Sequence, residues 1–217
     1  LIALVLFLFV RTFLIEAFQI PTSSMENTLL VGDFLLVNKV AYGAEIPGVE
    51  FELPGYDRPG RGDVVVFEPP EAAAQPPRTN YVKRIVGIPG DTLAMRDGVL
   101  YRNGVRVPEP YARRDGGSDV RNPRFRWQRR FLPDGGRSRR YRPSRDNWGP
   151  LVVPPDGYFV MGDNRENSED SRYWGFVERD AIKGRPLLIY YSYDRRDAGS
   201  LRWLTRIRWE RIFDAIQ

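Results

Sequence analysis

Two adjacent serines, Ser23 and Ser24, follow Pro21 and Thr22 in a chain of 217 residues that contains no histidine and no cysteine. A Ser-His-Asp triad and a catalytic thiol are therefore excluded, and a metal site would lack the ligands that zinc prefers. A serine hydroxyl can act as a nucleophile, but only beside a group that takes its proton. Any such acid–base chemistry falls to Lys, Asp, Glu or Tyr.

Lysine is rare in this chain. Of its 33 basic residues, only Lys39, Lys83 and Lys183 are lysines, and the rest are arginines. Arginine is not deprotonated in proteins and cannot act as a base. A lysine can do so if burial lowers its pKa toward neutrality. We interpret Lys39 and Lys183 as incidental lysines in a chain whose composition favours arginine, without a catalytic role.

Residues 1–18 are almost entirely apolar and begin with ten uninterrupted apolar residues. A membrane span needs about 20 mostly apolar residues, and we expect a transmembrane anchor over 1–18. The alternatives are a buried core helix and a removable signal peptide, for which residues 16–19 are a poor cleavage site.

Short β-branched or aromatic runs bounded by Gly, Pro and Asp predict strands. They are Asp33–Val40, Asp63–Phe67, Tyr81–Ile88, Tyr158–Met161 and Leu187–Tyr193. The pair Asn103-Gly104, flanked by two further runs, predicts a hairpin. Because no long helical pattern separates the runs, we expect a mainly β fold with an antiparallel sheet as its core.

The composition divides the rest of the chain. We expect the first part of the core over residues 19–91, an inserted smaller β or irregular region over 92–151, and the second part of the core over 152–194. Residues 195–217 should hold a short C-terminal helix within Leu201–Ile216. Its Trp203 and Trp209 among arginines suit a membrane headgroup interface, and ordinary packing is the alternative.

Within the insertion, Arg113–Arg145 contains twelve arginines and three aspartates, a net charge of +9 in a chain of +5. One interpretation is a solvated, partly disordered segment. Another is contact with anionic lipid headgroups, to which each nearby arginine contributes about 1 kcal/mol. Basic and aromatic residues together also suit nucleic acid, but we expect no nucleic-acid partner.

Two further segments share the polar, glycine-flanked character of the Ser24 region: Asn80–Asp91 and Gly162–Gly175. In a strand, alternation places Tyr81, Lys83 and Ile85 on one face. A lysine with such neighbours can lose its water.

These three segments resemble the serine, lysine and Gly-Asp-Asn-Arg boxes of bacterial type I signal peptidases, and Gly62–Phe67 resembles the remaining short box. The similarity runs from about Phe18 to Ser192, interrupted by the arginine-rich segment. Lys83 stands at the position where the endoplasmic-reticulum branch of the family has histidine, so the chain resembles the bacterial type.

The resemblance implies roles for individual residues. Ser24 matches the nucleophile and Lys83 the general base. Thr22 matches a hydroxyl of the oxyanion hole, and Ser168 matches a serine that hydrogen-bonds the lysine. Four residues match polar positions that support the site through ion pairs: Arg84, Asp163, Asp170 and Arg172. Met25 matches a residue that packs beneath the nucleophile.

Two departures from the family pattern concern the turn at the nucleophile. The usual Ser-Met-x-Pro-Thr has Asn27 in place of proline, which puts the rigidity of the turn in doubt, although asparagine tolerates turn geometry. Ser23 stands where glycine is common and adds a second hydroxyl.

For the substrate pockets we expect Phe18, Ile20 and Ile85.

By this resemblance, the chain is expected to be a membrane-anchored serine endopeptidase that removes signal peptides from exported preproteins, without metal or other cofactor. Its expected partners are signal peptides and a lipid bilayer with anionic headgroups. The expected location is the bacterial cytoplasmic membrane, with the catalytic domain on the extracytoplasmic face. Alternatives are a self-cleaving repressor, which would need an N-terminal DNA-binding domain, and a catalytically idle membrane-anchored binding module.

Overall fold

The computed structural model describes residues 15–45, 52–53, 55–71, 73, 79–135, 140–195 and 202–216. Two antiparallel sheets dominate these residues, as the sequence predicted, and a third sheet is a two-residue pairing of β3 with β4. The strands are β1 Ile15–Gln19, β2 Asp33–Asn38, β3 Ala44–Glu45, β4 Glu52–Leu53, β5 Val64–Phe67, β6 Tyr81–Gly87, β7 Thr92–Arg96, β8 Val99–Arg102, β9 Val105–Arg106, β10 Trp148–Val152, β11 Gly157–Met161, β12 Val177–Glu178 and β13 Ile182–Ser192.

The larger sheet has seven strands in the order β1-β2-β13-β5-β6-β11-β12. Each of the five predicted strands lies in this sheet, and β13 begins five residues earlier than predicted. All four residues of β5 are buried, because Val64 and Val66 pack into one apolar cluster while Val65 and Phe67 pack into another. The sheet therefore has cores on both faces, and β6 lies between them.

The smaller sheet, in the order β10-β7-β8-β9, comes from residues 92–152. Its β8–β9 hairpin confirms the prediction from Asn103-Gly104, whose φ angles of 53° and 80° are those of a type I′ turn. The sequence analysis missed β10, since Gly149-Pro150 interrupts its apolar pattern. Proline is tolerated there because β10 is an edge strand.

The N-terminal anchor predicted for residues 1–18 lies mostly outside the described residues. Its last four residues are described, and for these the predicted helix is wrong. Ile15–Phe18 form most of β1, which pairs with β2 from Ile15 opposite Asn38 to Gln19 opposite Phe34. This pairing satisfies backbone groups that a helix would satisfy internally. Across the described part of the chain, no helix has the length and apolar character to cross a membrane.

The described parts of the arginine-rich segment, residues 113–135 and 140–145, pack against the rest of the protein. A 3-10 helix, Pro123–Phe131, begins after the cap residue Asn122 and buries Phe125 and Gln128. It packs against the short helix α1, Ser171–Trp174. Trp127 Nε1 and Gln128 Nε2 each donate to the Arg172 carbonyl at 3.1 Å. This segment therefore supports the loop that leads into α1.

The predicted C-terminal helix is mostly wrong. Residues 202–216 contain one helical turn, α2 Arg202–Thr205, followed by a three-residue 3-10 helix and isolated bridges to β13 and Tyr193. Arg211 donates to both oxygens of the fully buried Asp33 carboxylate, and Arg208 donates to the Val31 carbonyl. These two arginines point into the protein, and their ion pairs with Asp33 tie the segment to the start of β2.

Candidate active site

Ser24 and Lys83 are in direct contact. Lys83 Nζ lies 2.7 Å from Ser24 Oγ and also donates to the Val82 carbonyl at 3.1 Å. Both side chains are buried, with 9% of Ser24 and 4% of Lys83 exposed. The structure therefore brings together the two residues that the sequence analysis singled out, 59 positions apart in the chain.

Strand β6 fixes the position of Lys83. Lys83 lies opposite Val65 of β5, and the ring of Tyr81, two residues earlier, is centred 5.6 Å from Nζ. Alternation along the strand places Ile85 on the same face, where it is buried among apolar residues. The lysine thus rises from a rigid central strand, with its stem between hydrophobic side chains.

Burial determines the protonation of Lys83. Loss of water lowers the pKa of the amine to about 8, while the carboxylates of Asp170 and Asp163 act in the opposite direction. With a pKa of about 8, roughly a tenth of the amine is uncharged at neutral pH, far more than for an exposed lysine. The neutral amine can accept the proton of Ser24.

The turn that carries Ser24 is anchored from below. Met25 and Leu29 are buried in the apolar cluster that also contains Val64 and Val66. The Leu29 N–H donates to the Met25 carbonyl at 2.8 Å, which closes one helical turn after the nucleophile. Met25 packs as predicted and keeps Ser24 directed toward β6.

The two adjacent hydroxyls have different partners. Ser23 Oγ accepts a hydrogen bond from Asn167 Nδ2 at 2.6 Å, whereas Ser24 Oγ contacts the lysine. Since only Ser24 has a potential base within reach, the geometry favours it as the nucleophile over Ser23.

At Asn27 the turn departs from a proline-containing one. Its φ of 103° is one that proline cannot adopt. Asn27 Nδ2 donates to the Tyr111 carbonyl at 2.9 Å, so the insertion supports the turn through a hydrogen bond.

The loop between β11 and α1 closes the site from the other side. The Asn164 N–H donates to the Ser24 carbonyl at 3.1 Å, and Asn164 Nδ2 donates to the Ser23 carbonyl at 3.2 Å. The sequence analysis named no role for Asn164, although the residue stands within its Gly-Asp-Asn-Arg box. A backbone contact of this kind has no signature in the sequence beyond that box.

Arg84 and Asp163 form a buried ion pair on the opposite face of β6 from Lys83. Arg84 Nε and Nη2 donate to the two carboxylate oxygens of Asp163 at 2.9 and 2.8 Å. Thr28 Oγ1 donates to the same carboxylate at 2.6 Å, and the Arg84 guanidinium stacks 4.1 Å from the centre of the Tyr111 ring. The pair ties β6 to the loop and to the turn that follows Ser24.

Asp170 and Arg172 form a second buried pair. Arg172 Nε and Nη2 each donate to the Asp170 carboxylate at 2.8 Å, and the Gly162 N–H donates to it at 3.0 Å. Burial opposes ionisation of Asp170, but the Arg172 charge and these hydrogen bonds hold its pKa below the usual value. All four residues predicted to form ion pairs do so, and Asp163 and Asp170 each have their own arginine.

Ser168 does not make the expected hydrogen bond to Lys83. Its Oγ is buried without a hydrogen bond of good geometry among the described residues, although it lies near enough to Asp170 to help lower the pKa of that carboxyl. The Lys83 amine instead donates its second hydrogen bond to the Val82 carbonyl of its own strand. The Val82 carbonyl oxygen thus accepts a hydrogen bond from the Lys83 amine, where the sequence analysis expected Ser168 to be the partner.

Ser24 and Lys83 lie in a cleft of about 480 Å³ between β1, the turn at Ser24 and the start of β6. Thr22 lines the cleft, with Oγ1 3.5 Å from Ser24 Oγ. Phe18 and Ile20 line it as expected. Ile85 does not, because it faces the core. The described residues contain no group of three or more acidic residues arranged for a metal ion.

The chain is similar to known proteins over most of its length. The family model for signal peptidases, peptidase S26, matches residues 1–191. Signal peptidase I of Pseudomonas aeruginosa is 36% identical over 215 residues, covering 92% of this chain and 73% of that protein. Signal peptidase I of Leptolyngbya laminosa is 36% identical over 197 residues, covering 89% and 77%.

The fold comparison is weaker. A crystal structure of a signal peptidase I from Enterococcus faecalis is 29% identical in sequence and covers 59% of this chain and 97% of that chain, with a TM-score of 0.37. The relationship therefore rests on the sequence matches.

The geometry predicts the effect of a single methyl group at Gly162. A Cβ there would overlap the Ser24 carbonyl oxygen and Ser168 Oγ, so Gly162→Ala should displace the turn at the nucleophile. Because a misplacement of about 1 Å can lower a rate about 10²-fold, we expect a loss of that order in the acylation of Ser24 by a serine-directed reagent, followed by mass spectrometry.

Gly60→Ala is the matched control. A Cβ at Gly60 would lie 3.5 Å from its nearest neighbour, an ordinary contact, so acylation should proceed at the unmodified rate. Equal rates in Gly162→Ala and Gly60→Ala would contradict the close approach on which the prediction depends.

Proposed function

The chain belongs to the signal peptidase family, peptidase S26, and we propose that Ser24 and Lys83 are the nucleophile and general base with which it removes signal peptides from exported preproteins. The observation that carries this proposal is the 2.7 Å contact between Lys83 Nζ and Ser24 Oγ in a buried setting. Burial lowers the pKa of Lys83 to about 8, which a base needs and a purely structural lysine does not.

The first half of the reaction transfers one proton and forms one bond. The uncharged Lys83 amine takes the Ser24 hydroxyl proton while Oγ attacks the scissile carbonyl carbon. The carbonyl oxygen becomes an oxyanion, for which we assign the Ser24 backbone N–H and the Thr22 hydroxyl as donors. Collapse breaks the peptide C–N bond, and protonated Lys83 returns the proton to the leaving amine.

The second half releases the signal peptide. Lys83, now neutral again, takes a proton from a water molecule that attacks the ester on Ser24. The proton then returns from Lys83 to Ser24 Oγ as the ester bond breaks. We assign positioning roles to four residues: Arg84, Asp163, Asp170 and Arg172. Their ion pairs hold Ser24 and Lys83 in position. Because each of these carboxylates is paired with an arginine, neither brings an unpaired negative charge to the Lys83 amine.

Strand addition explains how the substrate is held. β1 is a terminal strand of the larger sheet and pairs only with β2 among the described residues. We propose that the end of the signal peptide lies extended along the free edge of β1, where main-chain hydrogen bonds supply affinity and the cleft accepts small side chains. Phe18 and Ile20 line that cleft next to Ser24.

The dyad is tested by two replacements of Lys83. Lys83→Arg keeps the charge but cannot act as a base, and Lys83→Met keeps the apolar stem without an amine. Both variants should cleave a preprotein in detergent about 10²–10⁴-fold more slowly than the unmodified chain, because a positioned acid–base group contributes that factor. Circular dichroism and thermal unfolding identify any variant that fails to fold.

Lys39→Arg is the control and should retain full activity. Normal cleavage by folded Lys83→Met would contradict the dyad. The alternative function, an idle binding module, is tested with an acylating penem-type inhibitor. Labelling that disappears in Ser24→Ala supports the enzyme, whereas an unmodified chain that is never labelled supports the module.

We propose further that the C-terminal segment, residues 202–216, contacts the lipid bilayer. Trp203, Leu204, Trp209 and Phe213 are between 49% and 75% exposed, and tryptophan side chains favour the headgroup region. Exposed arginines of the insertion, such as Arg121 and Arg142, would favour anionic lipids. We propose the bacterial cytoplasmic membrane as the location, with the cleft on the extracytoplasmic side where preproteins emerge.

Tryptophan fluorescence tests the lipid contact. In vesicles that contain brominated lipids, replacing both Trp203 and Trp209 with phenylalanine should remove most of the lipid-dependent quenching of the full chain, and vesicles with anionic lipids should show the larger effect. Trp148→Phe, which removes a buried ring, should leave the quenching unchanged. Unaltered quenching in the double variant would contradict the contact.

A further inference from the structure

The cleft holds a charged side chain for which the proposed reaction has no use. Among the described residues that line it, Lys83 and Glu169 are the charged ones. Lys83 is buried against Ser24, whereas the Glu169 side chain is 59% exposed. A polypeptide that fills the cleft therefore meets a carboxylate in the same cleft as the Ser24 nucleophile.

The ion-pair partner of Glu169 comes from the arginine-rich segment. Arg124 Nη1 donates to Glu169 Oε2 at 2.9 Å. Asn122 caps the Arg124 N–H at 2.9 Å, and the Arg124 guanidinium lies 5.3 Å from the centre of the Tyr173 ring. These contacts hold Arg124 behind the carboxylate, outside the described lining of the cleft. The carboxylate is therefore the charge nearer to the substrate.

We infer that Glu169 selects substrates by charge, disfavouring an acidic side chain at the substrate position that passes it in the cleft relative to a basic one, and that Arg124 weakens this selection. The inference rests on the proposed function, since it concerns the substrate of the same cleft. Arg124 offsets part of the field of the carboxylate, so its removal leaves Glu169 more strongly negative. An exposed charge contact of this kind changes a rate ratio by about two- to fivefold.

The test uses the full chain in detergent and pairs of preprotein substrates that differ by lysine or aspartate at one position. Each position on either side of the cut is examined in turn, except those that require a small residue. The readout is the ratio of kcat/KM for the lysine substrate to that for the aspartate substrate. Because both values come from one variant, partial loss of folded protein cancels.

Substitutions of Glu169 and of Arg124 should move this ratio in opposite directions. At the position that passes Glu169, the unmodified chain should favour lysine, Glu169→Gln should bring the ratio close to one, and Glu169→Arg should invert it. Arg124→Ala should raise the ratio by about two- to fivefold. These differences should shrink in high salt, since the charges are exposed.

Arg126→Ala and Glu178→Gln are the matched controls. Arg126 is an exposed arginine of the same 3-10 helix, and Glu178 is an exposed glutamate of β12 outside the cleft. Both should keep the ratio of the unmodified chain. A ratio that is the same in the unmodified chain, Glu169→Gln and Glu169→Arg overturns the inference but leaves the proposed function intact, since the substrates are still cleaved.

Two other outcomes also overturn the inference. Equal changes in Glu169→Gln and Glu178→Gln would assign the effect to net charge rather than to the cleft. Failure of the unmodified chain to cleave any of the substrates would overturn both this inference and the proposed function.

Discussion

The chemistry of this chain depends on the exclusion of water from the Lys83 amine. Lowering the pKa from 10.5 to about 8 corresponds to about 3 kcal/mol by which the fold disfavours the charged amine. A central strand with buried neighbours on both faces can impose such a cost, because β6 is held by β5 and β11 and cannot shift to hydrate the lysine. The two-sided core of the larger sheet is thus a requirement of the reaction as well as of stability.

The two buried ion pairs, Arg84–Asp163 and Arg172–Asp170, reduce the effect of nearby carboxylates on the buried Lys83 amine. Asp163 and Asp170 lie near enough to Lys83 to favour its charged form. Arg84 and Arg172 engage these carboxylates with two hydrogen bonds each, so the lysine faces largely neutralised pairs. The same pairs connect β6, the turn after Ser24 and the entrance to α1. Electrostatic balance and the positioning of the dyad therefore come from one set of contacts.

The sequence was sufficient for five strands of the larger sheet and for the β8–β9 hairpin, because residue composition and turn chemistry specify them. The Ser24–Lys83 contact followed from the resemblance to signal peptidases. The sequence was insufficient where tertiary contacts override local patterns. The C-terminal segment has helical composition, yet the burial of Asp33 draws Arg211 inward and breaks the helix. The role of Asn164 depends on a backbone hydrogen bond to Ser24, which composition does not reveal. For the insertion, the sequence likewise indicated only a high positive charge. The contact of Arg124 with Glu169 depends on how the 3-10 helix packs, which the sequence does not reveal.

The most direct test of the account is a titration of Lys83 itself. The chain has only three lysines, so a sample labelled with ¹³C at lysine Cε gives three signals, and Lys83→Met identifies the relevant one. The full chain in detergent micelles should show a Lys83 midpoint at about 8, with the amine protonated below that pH and neutral above it. A midpoint at the ordinary lysine value of about 10.4 would contradict the account, because the amine would then be charged when Ser24 needs a base.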